Sequence, residues 1–283
     1  MIETYLPNGV DSRIQRGNRP CQESLPSFVL DAVSNPDKPD PDLLKEYQSL
    51  VGALLYCAPN TRPDIAFAVG LLCRAMSKPT PELLEAAQRV LGYLARNAEL
   101  GLTYERSEVP LYGMTDSDWA TQHSTSGFVF MMNQATIAWG SKRQKSVALS
   151  SCEAEIVAGS VAACEAIHLS ALAKELGLSD DKPIAVHMDN RAGVDVCYNP
   201  EHHGRMKHVE RRHFFIRECV ENHRIRVPFV RTEDNLADFF TKVLPARQFF
   251  PLRDKIMNVP RARGGVEPNA VALPQRGERD HSS

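Results

Sequence analysis

Hydrophobic and polar positions change period twice along the chain. Through residue 42 there is little periodicity beyond Phe28-Val29-Leu30. The stretch ends in Asn35-Pro-Asp-Lys-Pro-Asp-Pro41, so residues 1–42 read as a loose leader. From Leu43 the apolar residues Tyr47, Leu50, Val51, Leu54 and Leu55 recur at helical spacing. Pro63-Asp64 opens a second apolar stretch through Leu72. A third helix is predicted after Pro79-Thr80-Pro81, with the face Leu84, Ala87, Leu91 and Leu94 and a stop at Asn97 or Gly101. Residues 43–107 therefore form a helical module.

Beyond Glu108 the period shortens toward two. Leu111–Thr115, Phe128–Met132 and Ala135–Trp139 read as strands, with Asn133-Gln134 at a tight turn between the last two. Ser150–Leu176 returns to a 3.6-residue period through Val157, Val161, Cys164, Leu169 and Leu172, and Gly177 stops it. A strand over Pro183–Met188, helices over Ala192–Tyr198 and Lys207–Glu221, a strand over Ile225–Val230 and a helix over Asn235–Val243 complete the pattern. The order β-β-β-α-β-α-α-β-α is that of a mixed α/β domain over residues 108–245. Residues 246–283 read as a tail, mostly disordered. Past Pro260 it lacks aromatics and periodicity.

Composition narrows the function classes. The chain has 283 residues, 43% hydrophobic and 24% charged, with 33 Lys+Arg against 35 Asp+Glu for a formal charge of -2. A basic surface must therefore be local. The longest apolar stretch, Ala66–Cys73, is short of the roughly 20 residues that cross a bilayer, and no signal-peptide pattern opens the chain, so an intracellular protein with no membrane partner is expected. Seven scattered cysteines form no CxxC pair and read as buried free thiols.

In an open α/β sheet, sites gather at strand ends and at the helix starts facing them. Four acidic residues fall there. Asp116 closes the first strand, Glu155 lies in the first turns of the long helix, Asp189 ends the fourth strand and Asp238 lies in the last helix. Brought together, they would repel unless cations or shared protons intervened. Hard oxygen donors without cysteine suit Mg2+ or Mn2+, and two such ions roughly 3.5–4 Å apart support phosphodiester hydrolysis. Spacing alone leaves coincidence open, because acids are also common at helix starts as caps. A second signal is the stretch Glu201–Arg226, where Arg205, Lys207, Arg211, Arg212, Arg217, Arg224 and Arg226 alternate with His202, His203, His208, His213 and His223. Such a segment suits a nucleic-acid backbone, with Arg205, Lys207, His208, Arg211 and Arg212 as phosphate contacts. A solvated helix face is the alternative reading. The irregular spacing argues against zinc. Lys142-Arg143-Gln-Lys145 adds a second basic stretch.

Nine short motifs in order carry a resemblance. They are Tyr47-Gln-Ser-Leu-Val-Gly52, Thr61-Arg-Pro-Asp-Ile65, Thr115-Asp-Ser-Asp-Trp-Ala120, Ser124-Thr-Ser-Gly127, Ser141-Lys-Arg-Gln144, Ala148-Leu-Ser-Ser-Cys-Glu-Ala-Glu155, Asp189-Asn190, Lys207-His208, and Ala237-Asp238 followed by Thr241-Lys242. Over about Tyr47–Leu244 the chain resembles the C-terminal ribonuclease H domain, with its preceding connection segment, of copia-type LTR-retrotransposon polyproteins. The resemblance implies a ribonuclease H-like fold, a mixed five-stranded sheet flanked by helices and preceded by the small helical module. It also implies hydrolysis of the RNA strand of an RNA–DNA hybrid with two Mg2+ ions. Carried over by motif, Asp116 bridges the metals, Glu155 and Asp189 complete the ligand set, and Asp238 holds the ion nearer the leaving group. Asp118 and Glu153 are candidate carboxylates supporting that ligand set from behind, with solubility or helix capping the preferred reading. A polymerase domain of the same element and a cytoplasmic location are implied as well.

The chain departs from the family pattern in two places. Only Thr121-Gln122-His123 separate Ala120 from Ser124, a shortened first hairpin, and Ile156 stands where an aromatic is usual. No polymerase Tyr-x-Asp-Asp, protease Asp-Ser/Thr-Gly or integrase His/Cys motif is present, so this chain alone would not perform reverse transcription. The competing readings are a catalytically silent remnant or nucleic-acid-binding module that keeps the fold, and an integrase-like nuclease on a similar fold.

Overall fold

The computed structural model describes residues 18–35, 37–119, 123–178, 182–198 and 210–260. Its helical half begins earlier than the periodicity indicates. Helix α1 (Leu25–Ser34) lies inside the expected leader and buries Leu25, Val29 and Ala32. Two turns and three apolar contacts are too short a pattern to stand out beside the polar residues around them. Asp40 then starts α2 (Pro41–Asn60): its carboxylate accepts from the backbone N–H groups of Asp42 and Leu43, and Pro41 takes the first helical position. A 3-10 turn over Pro63–Ile65 leads into α3 (Ala66–Arg74), and Thr80 caps α4 (Pro81–Arg96) by accepting from the Leu83 N–H.

The sheet has the order β3-β2-β1-β4-β5, with β1 (Tyr112–Asp118) in the centre, β2 (Thr125–Met132) and β3 (Ala135–Arg143) antiparallel to one side, and β4 (Ile184–Met188) and β5 (Ile225–Arg226) parallel to the other. The mixed five-stranded sheet expected from the resemblance is present. Asn133 and Gln134 both have left-handed φ, 52° and 66°, which gives the two-residue turn whose twist matches a right-handed hairpin. The last strand is shorter than expected: Ile225–Arg226 pairs, and only an isolated bridge from Met188 to Phe229 follows, because Pro228 has no N–H to give to a ladder. The sheet is flanked by α5 (Ser151–Glu175), α6 (Arg191–Tyr198) and α7 (Glu210–Glu221). Ser150 caps α5 by accepting from the Glu153 N–H, while the Glu153 carboxylate reaches back to the Leu149 N–H, so Glu153 does serve as a capping residue. Gly177, at φ +68°, ends the run.

Helix α5 is 25 residues long, and its apolar window, with mean hydropathy 1.6, meets the length and composition of a membrane span. Half of that window is buried inside the fold, where Ile156, Val157, Ala162, Ala163 and Ala166 pack against Val186, Met188 and Ile216; it is a core helix. The other face of the sheet meets the helical module. Tyr47, Leu54, Leu72 and Leu91 share one core with Met114, Val129, Met131 and Phe240. The Trp139 indole N–H, donating to the Ala58 carbonyl at 2.9 Å, ties β3 to α2.

Two further differences concern the end of the described chain. The predicted helix over Asn235–Val243 is a 3-10 turn, Leu236–Phe240. The expected tail begins instead with α8 (Ala246–Met257), whose Phe249, Ile256 and Met257 are buried. Phe249 stacks on Phe239 and meets Tyr93 edge-on, so α8 completes the core of the helical module from the far end of the sequence. Pro251 within α8 masks it in a sequence reading. Under this module lies a buried ion pair: Arg62 donates to both carboxylate oxygens of Asp64 at 2.9 and 2.8 Å, and Tyr93 donates to the same Asp64. All seven cysteines are free, as expected, but only Cys21, Cys197 and Cys219 are buried, and Cys164 is exposed on α5.

Candidate metal centre

The parallel register of β1 and β4 runs to Thr115 opposite Met188, so Asp116 and Asp189 follow as neighbours one step beyond the paired ladder. On its other side Asp116 pairs with Gly127. Asp116 therefore lies within β1, which continues to Asp118, rather than closing it. Helix α5 packs over β1 and β4 and brings Glu155, one turn from its start, to the same place. Asp116, Glu155 and Asp189 each present a carboxylate oxygen within 4.8 Å of the others. Asp116 and Glu155 are buried, and Asp189 is partly exposed.

Asp238 arrives by a different route. Asn235 anchors the 3-10 turn by donating from its amide to the Thr115 carbonyl at 3.1 Å and accepting from the Ala237 N–H at 3.0 Å. Gly127 lets the turn lie directly on the sheet: a Cβ there would stand 2.6 Å from Thr241 Cγ2 and 3.0 Å from the Ala237 carbonyl oxygen. Asp238 is then beside the three carboxylates but is linked to them through a cation. Lys242 Nζ donates to Asp238 Oδ1 at 2.7 Å and lies 3.5 and 3.4 Å from the two oxygens of Asp116.

Crowding and burial shift these groups. Burial, followed by the negative charges of Asp116 and Asp189, pushes Glu155 up to about 9. Asp238 is raised to about 6 by burial and by Asp116, despite the opposing hydrogen bond from Lys242. Asp116 is raised by burial, against the pull of Lys242 and Thr241. Lys242 is raised: burial lowers it, but Asp116, Asp238 and Asp189 more than offset this. Glu155 Oε1 accepts from the Ser117 N–H at 3.2 Å, whereas its buried Oε2 has no hydrogen-bond partner. An orphaned carboxylate oxygen inside an all-oxygen group of acids is the donor set that a hard divalent cation satisfies. The residues present fit such an ion.

No protein-family model matches the chain. The retrovirus-related Pol polyprotein from transposon TNT 1-94 of Nicotiana tabacum is 38% identical over 207 residues, 72% of this chain and 16% of that protein. The corresponding polyprotein from transposon RE1 of Arabidopsis thaliana is 37% identical over 236 residues, covering 82% and 16%. The chain belongs to the Pol polyproteins of copia-type transposons. It spans about a sixth of the length of these relatives. Among solved structures, a foamy viral protease-reverse transcriptase in complex with RNA/DNA hybrid covers 88% of this chain and 30% of its own, at 17% identity and a TM-score of 0.43.

Several residues of the centre carry no role in the sequence reading. Thr241 donates its hydroxyl to Asp116 Oδ2, and Lys242 bridges Asp116 and Asp238. The available signal is the i, i+4 spacing of Asp238 and Lys242, which juxtaposes opposite charges on a helical turn. Gln144 is buried between the exposed Lys142, Arg143 and Lys145; its amide nitrogen lies 3.1, 3.0 and 2.9 Å from Ser117 Oγ, Ser126 Oγ and the Ala154 carbonyl oxygen, so its two hydrogens are shared among β1, β2 and the start of α5. Asp118 accepts from the N–H and hydroxyl of Thr125 and closes the β1–β2 hairpin. Of the expected phosphate contacts, Arg211 and Arg212 fall in α7, while Arg205, Lys207 and His208 lie outside the described residues, as do Thr121 and Gln122 of the shortened hairpin.

Proposed function

We propose that the chain is a ribonuclease H-type nuclease that hydrolyses the RNA strand of RNA–DNA hybrids. The observation that carries this reading is the convergence of Asp116, Glu155 and Asp189 on one edge of the central strands, with a buried Glu155 oxygen left without a hydrogen-bond partner. Asp116, Glu155 and Asp189 would hold one Mg2+ ion, and Asp116 with Asp238 a second; Mn2+ suits the same donors. Such ions supply charge neutralisation at a scissile phosphate and lower the pKa of water to make it a nucleophile.

The chain's own residues set the stage for that chemistry. The Ser117 N–H fixes one oxygen of Glu155, so its second oxygen is aimed rather than free to rotate. The Thr241 hydroxyl holds Asp116 Oδ2. Gln144 ties the first turn of α5 to β1 and so holds Glu155 at its distance from Asp116. Lys142 and Arg143 at the exposed end of β3, and Lys145 on the loop leading to α5, offer phosphate contacts, and Arg205, Lys207, His208, Arg211 and Arg212 extend them. Recognition of this kind reads backbone shape and 2′-hydroxyls rather than bases. A polymerase domain of the same polyprotein is the natural companion, and the cytoplasm the natural compartment.

The test is cleavage of a strand-labelled RNA–DNA hybrid by the purified chain with Mg2+ or Mn2+, beside Asp116→Asn and Asp189→Asn proteins and duplex DNA. Metal-dependent cutting confined to the RNA strand and lost in both variants is expected. Undiminished cutting by Asp116→Asn, or cutting of duplex DNA alone, would refute the proposal. A folded wild-type protein that binds hybrid without cutting it would instead leave a nucleic-acid-binding module.

A further inference from the structure

The position of Lys242 adds something that the carboxylates alone do not. Its ammonium makes a 2.7 Å contact with Asp238 and lies about equally far, 3.5 and 3.4 Å, from both oxygens of Asp116. It thus sits between the two carboxylates assigned above to the second ion, whereas Glu155 Oε2 has no hydrogen-bond partner. Lys242 is also built to move. Its side chain is 37% exposed, it follows a turn anchored independently by Asn235, and a four-carbon stem lets the charge swing to solvent without disturbing the backbone.

We propose that the Lys242 ammonium is a tethered cation on the Asp116–Asp238 side of the acidic group, and that a divalent ion is held there only when Lys242 swings out. The inference rests on the two-metal reading above. It makes the two cation positions unequal: the one facing Glu155 and Asp189 feels the lysine charge only from beyond contact distance, while the one facing Asp238 fills in direct competition with the chain's own lysine. Lys242 is on this account a positioning residue. Its effect is to make the second ion weak in the absence of substrate and to keep Asp116 and Asp238 compensated until that ion binds.

The experiment is a binding titration of the full 283-residue chain with Mn2+ alone, free Mn2+ being counted by electron paramagnetic resonance, on the wild type and on Lys242→Met, Lys242→Arg and Asp116→Asn proteins. Methionine keeps the length and apolar stem of the side chain and removes only the charge. Two classes of site are expected in the wild type. In Lys242→Met the weaker class tightens by at least about tenfold and the tighter class changes less, because the ammonium contacts Asp116 and Asp238 and reaches Glu155 and Asp189 only by weaker, longer-range attraction. Lys242→Arg retains the weak class, and adding Asp238→Asn to Lys242→Met abolishes the gain. Equal tightening of both classes, or no tightening of the weaker one, would overturn the proposal and leave the metal reading standing. Absence of any wild-type Mn2+ uptake that Asp116→Asn removes would overturn both.

Discussion

Replacing Gly127 with alanine adds one methyl group at the point where the 3-10 turn Leu236–Phe240 rests on the sheet. The new Cβ would lie 2.6 Å from Thr241 Cγ2, and to reach the 3.4 Å of ordinary contact the turn must retreat by roughly 0.8 Å. Rotating Thr241 away does not relieve this, because its hydroxyl is engaged by Asp116, and the Ala237 carbonyl and Phe240 Cβ crowd the same methyl at 3.0 Å. Overpacking of this kind costs about 1–3 kcal/mol. The cost to the site is larger than the cost to the fold, because Asp238, Thr241 and Lys242 all ride on the displaced turn, whereas Asp116, Glu155 and Asp189 do not. A misplacement near 1 Å lowers catalytic rate by on the order of a hundredfold. Urea denaturation should therefore show a modest drop in midpoint, with hybrid cleavage falling far more than the folded fraction. Wild-type stability and wild-type turnover in Gly127→Ala would refute the claim that this glycine sets the approach of the turn.

Glu155 stays protonated in the metal-free fold up to about pH 9 but ionises near its ordinary 4.5 when unfolded, so unfolding releases a proton between those values and the chain loses stability as pH rises through them. Glu155→Gln should remove that part of the slope, seen as a variant-minus-wild-type stability difference that grows from pH 5 to pH 8.5 in EDTA; a constant difference would contradict it. Breaking the buried Arg62–Asp64 pair with Arg62→Ala should cost about 3–5 kcal/mol in a denaturant titration, because it leaves Asp64 buried and unpaired, while a joint replacement of both by apolar residues should cost less. Gln144→Leu removes the amide shared among β1, β2 and the start of α5 and should lower cleavage with a stability loss of about 1–3 kcal/mol, the readout being kcat beside the urea midpoint. Ending the chain at Pro245 should destabilise the helical module rather than trim a tail, measured as a lower thermal midpoint, since Phe249 and Ile256 are part of its core.

The elements legible in the sequence are those with long, regular patterns. The strands of the meander, the Asn133-Gln134 turn and the long helix ending at Gly177 fall within a few residues of their expected places, because each repeats its signal many times. Helices α1 and α8 escape because they are short, carry proline and acquire meaning only from partners distant in sequence, as Phe249 does from Tyr93. The convergence could be anticipated from the strand-end position of Asp189 and the helix-start position of Glu155, whereas Asp116, expected to close β1, lies inside it. The roles of Gly127, Gln144 and Lys242 could not, since each depends on how closely the 3-10 turn, the β3 end and α5 approach, a distance that no spacing along the chain encodes.

The centre is assembled from residue 116 on the middle strand, 155 on a helix packed across it, 189 after a parallel neighbour and 238 to 242 on a turn pinned back to that middle strand. Apart from the Asp238–Lys242 pair, these groups are brought together by contacts distant in sequence, so no stretch much shorter than the whole sheet assembles the acidic group. During synthesis the ribosome must release more than a hundred further residues after Asp116 emerges before Lys242 can reach it. Parallel pairing of β1 with β4 across an intervening helix is, moreover, a slow kind of closure. Translation products interrupted before residue 242 would therefore carry acids without their geometry.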